Sequence, residues 1–286
     1  LIPPTGYQLK DGFYDFGEVY LLSNQEQEKY PLPSDVQYEF YSRESLYNSG
    51  YGASENMDIR EERFYASLWF YHNHRYHKHY WFADPQIGFT GYWDSFFETM
   101  LIAECDFLSS HITKYEDDKD WPYWNELQLT DVQIDIEQRA YSMNPIYRIS
   151  NMGIEFIEDF IKRGNRGTPE LLIATVMFRY HFHIVDLGGD GVFTPRDYKE
   201  RFYLSGIVFH DEYGSGTIRS YPEFDKIKSY GIWNRLFYPV KYEMKTKLKE
   251  NSPPQINQKP RISCLFQIGK LWNFKKFLIF TNLWRK

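Results

Sequence analysis

Between Asp186 and Asp197 the chain reads DLGGDGVFTPRD, which spaces three carboxylates, Asp186, Asp190 and Asp197, around Thr194 and the glycines Gly188, Gly189 and Gly191. Hard divalent cations take about six to eight oxygen ligands, and a glycine in mid-loop lets the chain turn sharply enough to wrap them. With Gly191 as that turn, the side chains of Asp186, Asp190, Thr194 and Asp197 and the carbonyl of Val192 are the predicted metal ligands. The competing account is a turn in which the glycines serve the backbone and Asp186 caps a helix. The oxygen spacing favours the first account.

The flanks support it. Phe178, Phe182 and Val185 make one apolar face of a helix entering the loop, Tyr198 and Phe202 do the same on a helix leaving it, and Phe193 puts an apolar residue at the eighth loop position. On these residues the sequence resembles the EF-hand calcium-binding superfamily, in particular calmodulin-like and sarcoplasmic calcium-binding proteins. The resemblance is strong from Glu170 to Leu204 and extends at most over Cys105 to Leu236. It implies calcium as the ligand, with magnesium at the same loop. Gly188 offers no side-chain oxygen and Asp197 stands where the family places a glutamate, so binding is expected to be weak.

The resemblance also implies pairing of such loops. Tyr147 to Glu158, YRISNMGIEFIE, fits as a metal-free partner ending on Glu158, and fainter echoes start at Cys105 and Asp225. The string HDEYGSGTIRSYPEF reads as a turn with a second weak site through Asp211, Ser215 and Glu223, because the final carboxylate arrives one residue late.

Four histidines, His72, His74, His77 and His79, crowd into YHNHRYHKHYWF. His74 and His77 would share a helix face as imidazole ligands, but no HExxH pattern accompanies them, and a hydrated basic surface explains the cluster as well. His181 and His183 are assigned to packing. No phosphate loop, GxSxG elbow or cysteine–histidine context is present, so the chain is expected not to be an enzyme.

Positioning the loop requires helices. Apolar periodicity and capping signals predict them from Asp58 to about Tyr80, Asp94 to Ala103, Thr130 to Ser142, Glu155 to Lys162, Glu170 to Val185 and Pro195 to about Leu204. Strand signals are confined to Gly206–Phe209 and Thr217–Arg219. The expected fold class is therefore mainly α, with EF-hand-like helix-loop-helix pairs. An extended Tyr/Pro-rich arm over 1–57, a helical body over 58–250 and a basic apolar tail over 251–286 make up the chain.

Composition bounds the rest. Aromatic residues make up 20% of the 286-residue chain, enough to build a large core. Net charge is -6, yet Ser252 to Lys286 holds seven basic and no acidic residues, so the remainder carries -6 - 7 = -13. An acidic body suits cations or basic partners and argues against nucleic acid. The partner expected is a protein, and membrane contact is confined to the tail, whose abrupt change of composition past Pro253-Pro254 also fits a gene-model artefact. Two cysteines make no disulfide framework, and no run of roughly 20 apolar residues spans a bilayer. Cytoplasmic and secreted locations both stay open. The function expected is a calcium-responsive or calcium-stabilised binding protein, set against a structural or secreted interaction protein in which calcium staples a loop, or an enzyme with a regulatory hand.

Overall fold

The segment His79–Ala83 (β3) reads HYWFA, five large or apolar residues without alternation, and the structure shows why. Tyr80 and Phe82 enter one hydrophobic cluster while Trp81 and Ala83 enter another on the opposite side. A strand buried on both faces needs apolar residues at every position, so its period of two vanishes from the sequence. Glu18–Ser23 (β1) repeats the pattern, with Tyr20 and Leu22 on one side and Val19 and Leu21 on the other.

The computed structural model describes residues 18–24, 36–51, 57–205, 217–218 and 231–240, and the backbone of 276–282. A seven-stranded sheet runs through it. Besides β1 and β3 it contains Val36–Phe40 (β2), Phe107–Lys114 (β5), Ala140–Ser150 (β6), Ile184–Asp186 (β7) and Lys276–Asn282 (β9), in the order β2-β1-β9-β3-β6-β5-β7. The pairs β1–β2 and β5–β7 are parallel and the rest antiparallel. Gly88–Phe89 (β4) and Leu236–Phe237 (β8) form a separate two-stranded ribbon.

Five helices complete the described fold: Arg43–Asn48 (α1), Ile59–Asn73 (α2), Trp93–Leu101 (α3), Asn151–Lys162 (α4) and Pro169–Arg179 (α5). Residues of α2, α4 and α5 pack with Tyr80, Phe82, Phe107, Tyr147 and Ile149 on one face of the sheet. On the other face α3 packs Trp93, Phe96 and Phe97 against Trp81, Leu108 and Ile146. The sheet is thus the middle of three layers.

This overturns the expected mainly α class. Strand accounts for 25% and helix for 32% of the described residues, a mixed α/β protein. The helix expected over Thr130 to Ser142 is a single 3-10 turn at Ile136–Gln138 followed by β6. The one from Pro195 to Leu204 reduces to a 3-10 turn at Arg196–Tyr198, and the fifth helix stops at Arg179, short of Val185. Cys105 to Glu116 and Tyr147 to Glu158, read as companion loops, are β5 and the β6–α4 junction. The extended arm over 1–57 holds β1, β2 and α1, and its β1 pairs with β9 and so belongs to the sheet. Residues 276–282 of the tail form that strand between β1 and β3. Gly206–Phe209, the site through Asp211, Ser215 and Glu223, and the start of the Asp225 echo lie outside the described residues.

Local signals that depend on one helix end held better. Asp58 caps α2 by accepting the N–H groups of Arg60 and Glu61 at 2.8 and 2.9 Å, while Glu61 reaches back to the Asp58 N–H. Asp58→Ala is expected to cost about 1 kcal/mol in urea denaturation, with an unchanged m value. Among the described residues no helix is long and apolar enough to cross a membrane.

Candidate functional site

Asp186 is the last residue of β7, an edge strand of the sheet, rather than part of a loop between two helices. Its carboxylate is 2% exposed and fully engaged. One oxygen accepts the Ile112 N–H at 2.7 Å, and the other accepts the Gly188 N–H at 2.9 Å and the Tyr203 hydroxyl at 2.8 Å. Burial pushes its pKa up to about 7, against the opposing pull of these three donors.

The glycines have a packing reason. A Cβ on Gly188 would lie 2.8 Å from the Tyr203 ring and one on Gly189, at φ +67°, would lie 2.4 Å from its hydroxyl. Tyr203 therefore closes over the turn, and its hydroxyl also accepts the His111 N–H at 2.9 Å. Thr194 donates its hydroxyl to the Gly188 carbonyl at 2.7 Å, and the Asp186 N–H donates to the Phe193 carbonyl at 2.9 Å. Tyr203 was missed because it was read as a helical residue; nothing in its spacing from Asp186 reports a side-chain contact.

Of the expected ligands, Asp186 and Thr194 are buried and tied to protein partners, whereas Asp190, Val192 and Asp197 are exposed. Among the described residues no group of three or more His, Cys, Asp or Glu side chains is placed to hold a metal ion. The helix-loop-helix motif and the metal-binding loop are corrected accordingly: the loop is a strand end closed by Tyr203. Glu158, expected as the closing carboxylate of a companion loop, is buried beneath four side chains. It accepts from Tyr51 at 2.9 Å and Lys162 at 2.9 Å, and pairs with Arg75 at 2.6 Å and His72 at 3.0 Å. Burial raises its pKa, and the hydrogen bonds from Lys162 and Tyr51 more than offset that, holding it below the ordinary value.

The histidine cluster is dispersed in the same way. His72 pairs with Glu158 and His74 with Glu39, while burial lowers the pKa of both His77 and His79 to about 4. His74 and His77 both pack against the Tyr76 ring, whereas His72 sits with Glu158.

Polar groups converge elsewhere. A cleft of about 110 Å³ opens between α2, α5 and the sheet, lined by Arg60, Arg63 and Phe64, by Phe82, Ala83 and Asp84 at the end of β3, by Met143, Asn144, Pro145 and Tyr147 of β6, by Pro169, Glu170 and Ile173 of α5, and by Tyr238. Asp84 is neutralised within it: its carboxylate pairs with Arg63, accepts the Tyr238 hydroxyl at 3.2 Å and accepts the Gln86 N–H at 2.8 Å. Arg60, at the rim, pairs with Asp58 at 3.0 Å.

Glu170 Oε2 is buried without a hydrogen-bond partner, and so is Asn144 Nδ2. Asn144 Oδ1 is by contrast held by the hydroxyls of Ser109 at 2.7 Å and Ser142 at 2.8 Å. Burial raises the Glu170 pKa; its own N–H and Arg60 oppose the shift, and Asp58 and Glu126 reinforce it. A carboxyl in the first turn of a helix is the ordinary dipole-favoured arrangement, so nothing local distinguishes Glu170. Asp84 likewise reads as half of an Asp-Pro turn.

The arrangement is suited to binding a small molecule: an apolar box of Phe64, Phe82, Met143 and Ile173, with the polar residues Asn144 and Glu170 among its lining. Comparison with protein-family models, with curated proteins and with solved structures gives no match, so the functional reading rests on this site.

Proposed function

We propose that this chain is a binding protein for a small organic molecule, which it holds in the cleft between α2, α5 and β6. The observation that carries the reading is the cleft itself, about 110 Å³ walled by Phe64, Phe82, Met143 and Ile173, a size and lining that suit a small, mainly apolar molecule. The neighbouring Asp84 carboxylate is occupied by Arg63, the Tyr238 hydroxyl and the Gln86 N–H.

The size of the cleft suits a ligand of a few heavy atoms, such as 3-methyl-2-butanone. Saturation-transfer NMR with that ketone is expected to show binding to the wild-type protein and none to Ile173→Phe, whose added ring volume fills the cleft. Equal transfer to both proteins, with the variant folded by circular dichroism, places the ketone outside the cleft and defeats the proposal.

A further inference from the structure

We infer that Glu39, His74 and Tyr76 form a second site, a carboxylate–imidazole–phenol relay that makes Tyr76 a nucleophile toward aryl esters. Glu39 Oε1 lies 3.1 Å from His74 Nε2, and His74 Nδ1 lies 3.2 Å from the Tyr76 hydroxyl. A carboxylate only accepts hydrogen bonds, so Nε2 carries the imidazole proton and donates it to Glu39. Nδ1 is then the acceptor, and the Tyr76 hydroxyl donates to it. The order is that of a nucleophile, its general base and the acid that fixes the tautomer of the base.

Three parts of the fold hold the relay. Glu39 is on β2, His74 closes the C-terminal end of α2, and Tyr76 follows in the turn before β3. The imidazole stacks on Phe70 at 4.3 Å and 19°, with the Tyr20 ring at 5.0 Å, and the Tyr80 hydroxyl donates to the His74 carbonyl at 2.6 Å. The His74 side chain is 15% exposed and Tyr76 is 60% exposed, so the base is sheltered and the nucleophile is open to solvent. The Tyr20 hydroxyl donates to Glu18 at 2.7 Å and lies 3.4 Å from that of Tyr76. Burial, with Tyr76 and Glu18 beside it, raises the Tyr20 pKa, so Tyr20 keeps a proton to offer as charge develops on the Tyr76 oxygen. The His77 ring lies 4.1 Å from that of Tyr76, and burial, which lowers its pKa to about 4, keeps it neutral.

Leaving-group chemistry selects the substrate. A phenol oxygen displaces another aryloxide of equal or greater acidity, whereas an alkoxide or an amide nitrogen is too basic to leave before it. The Tyr76 oxygen bonds to the acyl carbon, its proton passes to His74 Nδ1, and the ester C–O bond breaks as the departing aryloxide takes that proton. The acyl-Tyr76 is itself an aryl ester. Water deprotonated by His74 cleaves it, the proton returns to the Tyr76 oxygen, and the carboxylic acid is released.

p-Nitrophenyl acetate is the probe, and release of p-nitrophenol by the full chain is the readout. Tyr76→Phe is expected to fall to the background rate of surface lysines, and His74→Gln to lose about a hundredfold or more of the rate above that background. Glu39 is a positioning residue. In Glu39→Gln the side-chain amide can donate to Nε2 and turn the imidazole to the wrong tautomer, so a comparable loss is expected. The wild-type rate should level off with rising pH, while that of both Gln variants keeps climbing with hydroxide, a difference that altered packing alone does not produce. Tyr76→Phe keeps the ring and its packing, so its result stands without the other two. If Tyr76→Phe releases p-nitrophenol as fast as the wild type, or if either Gln variant keeps the wild-type rate and profile, the relay is overturned. Binding at the cleft is untouched by either result.

Discussion

Arg148→Ala is expected to destabilise the protein by about 3–5 kcal/mol, enough to remove a large part of the stability of an ordinary domain. Arg148 sits on β6 at 1% exposure, and its guanidinium lies over the Trp81 ring at 5.8 Å. It donates to the Met100 carbonyl at 2.6 Å, to the Ala103 carbonyl, and to the Cys105 carbonyl at 3.3 Å and sulfur at 3.0 Å. These acceptors are the end of α3 and the turn that leads into β5. Truncation to Ala removes the guanidinium donors, leaving the Met100 and Ala103 carbonyls with the backbone N–H groups of Ala103 and Cys105, and opens space beneath Trp81, so two mechanisms of destabilisation act together. Arg148→Met restores the packing but not the donors, so it should recover only part of the loss. Urea denaturation of the three proteins gives both numbers from the shift in midpoint at constant m.

Asp186→Asn separates a structural carboxyl from a metal ligand. Burial holds the folded-state pKa of Asp186 at about 7, above the ordinary value of 3.8. The folded protein therefore binds more protons than the unfolded chain between those values. Its stabilising contribution is complete below pH 4 and is lost as pH rises through about 7, a swing of at most about 4 kcal/mol. The Asn variant lacks this titration, and its NH2 must face either the Ile112 N–H or the Gly188 and Tyr203 donors, at a cost of about 2 kcal/mol. At pH 5 the variant is expected to be clearly less stable, and the gap to narrow as pH is raised to 8. Urea midpoints measured across that range in the presence of EDTA test the expectation. A constant gap at all pH values, or one that appears only when calcium is added, contradicts it.

How much of this was legible in the sequence depends on the range of the interaction. The α2 start at Asp58 was legible because a capping box is a contact among residues three apart. The apolar turns of α3 and the Pro169 start of α5 were legible for the same reason. The sheet was not. The continuous apolar runs of β1 and β3 reflect burial on both faces, and Tyr141, Ile146 and Ile149 in β6 mix with Ser142, Asn144 and Arg148 in a way that fits a helix as readily.

The loop at Asp186 shows the limit most clearly. Three glycines and three aspartates satisfied a local template, but the selection on Gly188 and Gly189 comes from Tyr203, which folds back over them from beyond the loop. The cleft was hidden for a related reason. It joins residues from Arg60 to Tyr238, which only three-dimensional packing brings together.

Methyl-resolved NMR of the EDTA-treated protein, recorded first with 3-methyl-2-butanone and then separately with calcium, tests the placement of the functional site most directly. The account predicts saturable shifts at Ile173 and Met143 with the ketone, and no calcium-dependent shifts at Val192 and Thr194. A silent cleft together with saturable calcium shifts at Val192 and Thr194 would contradict it and return the function to the loop.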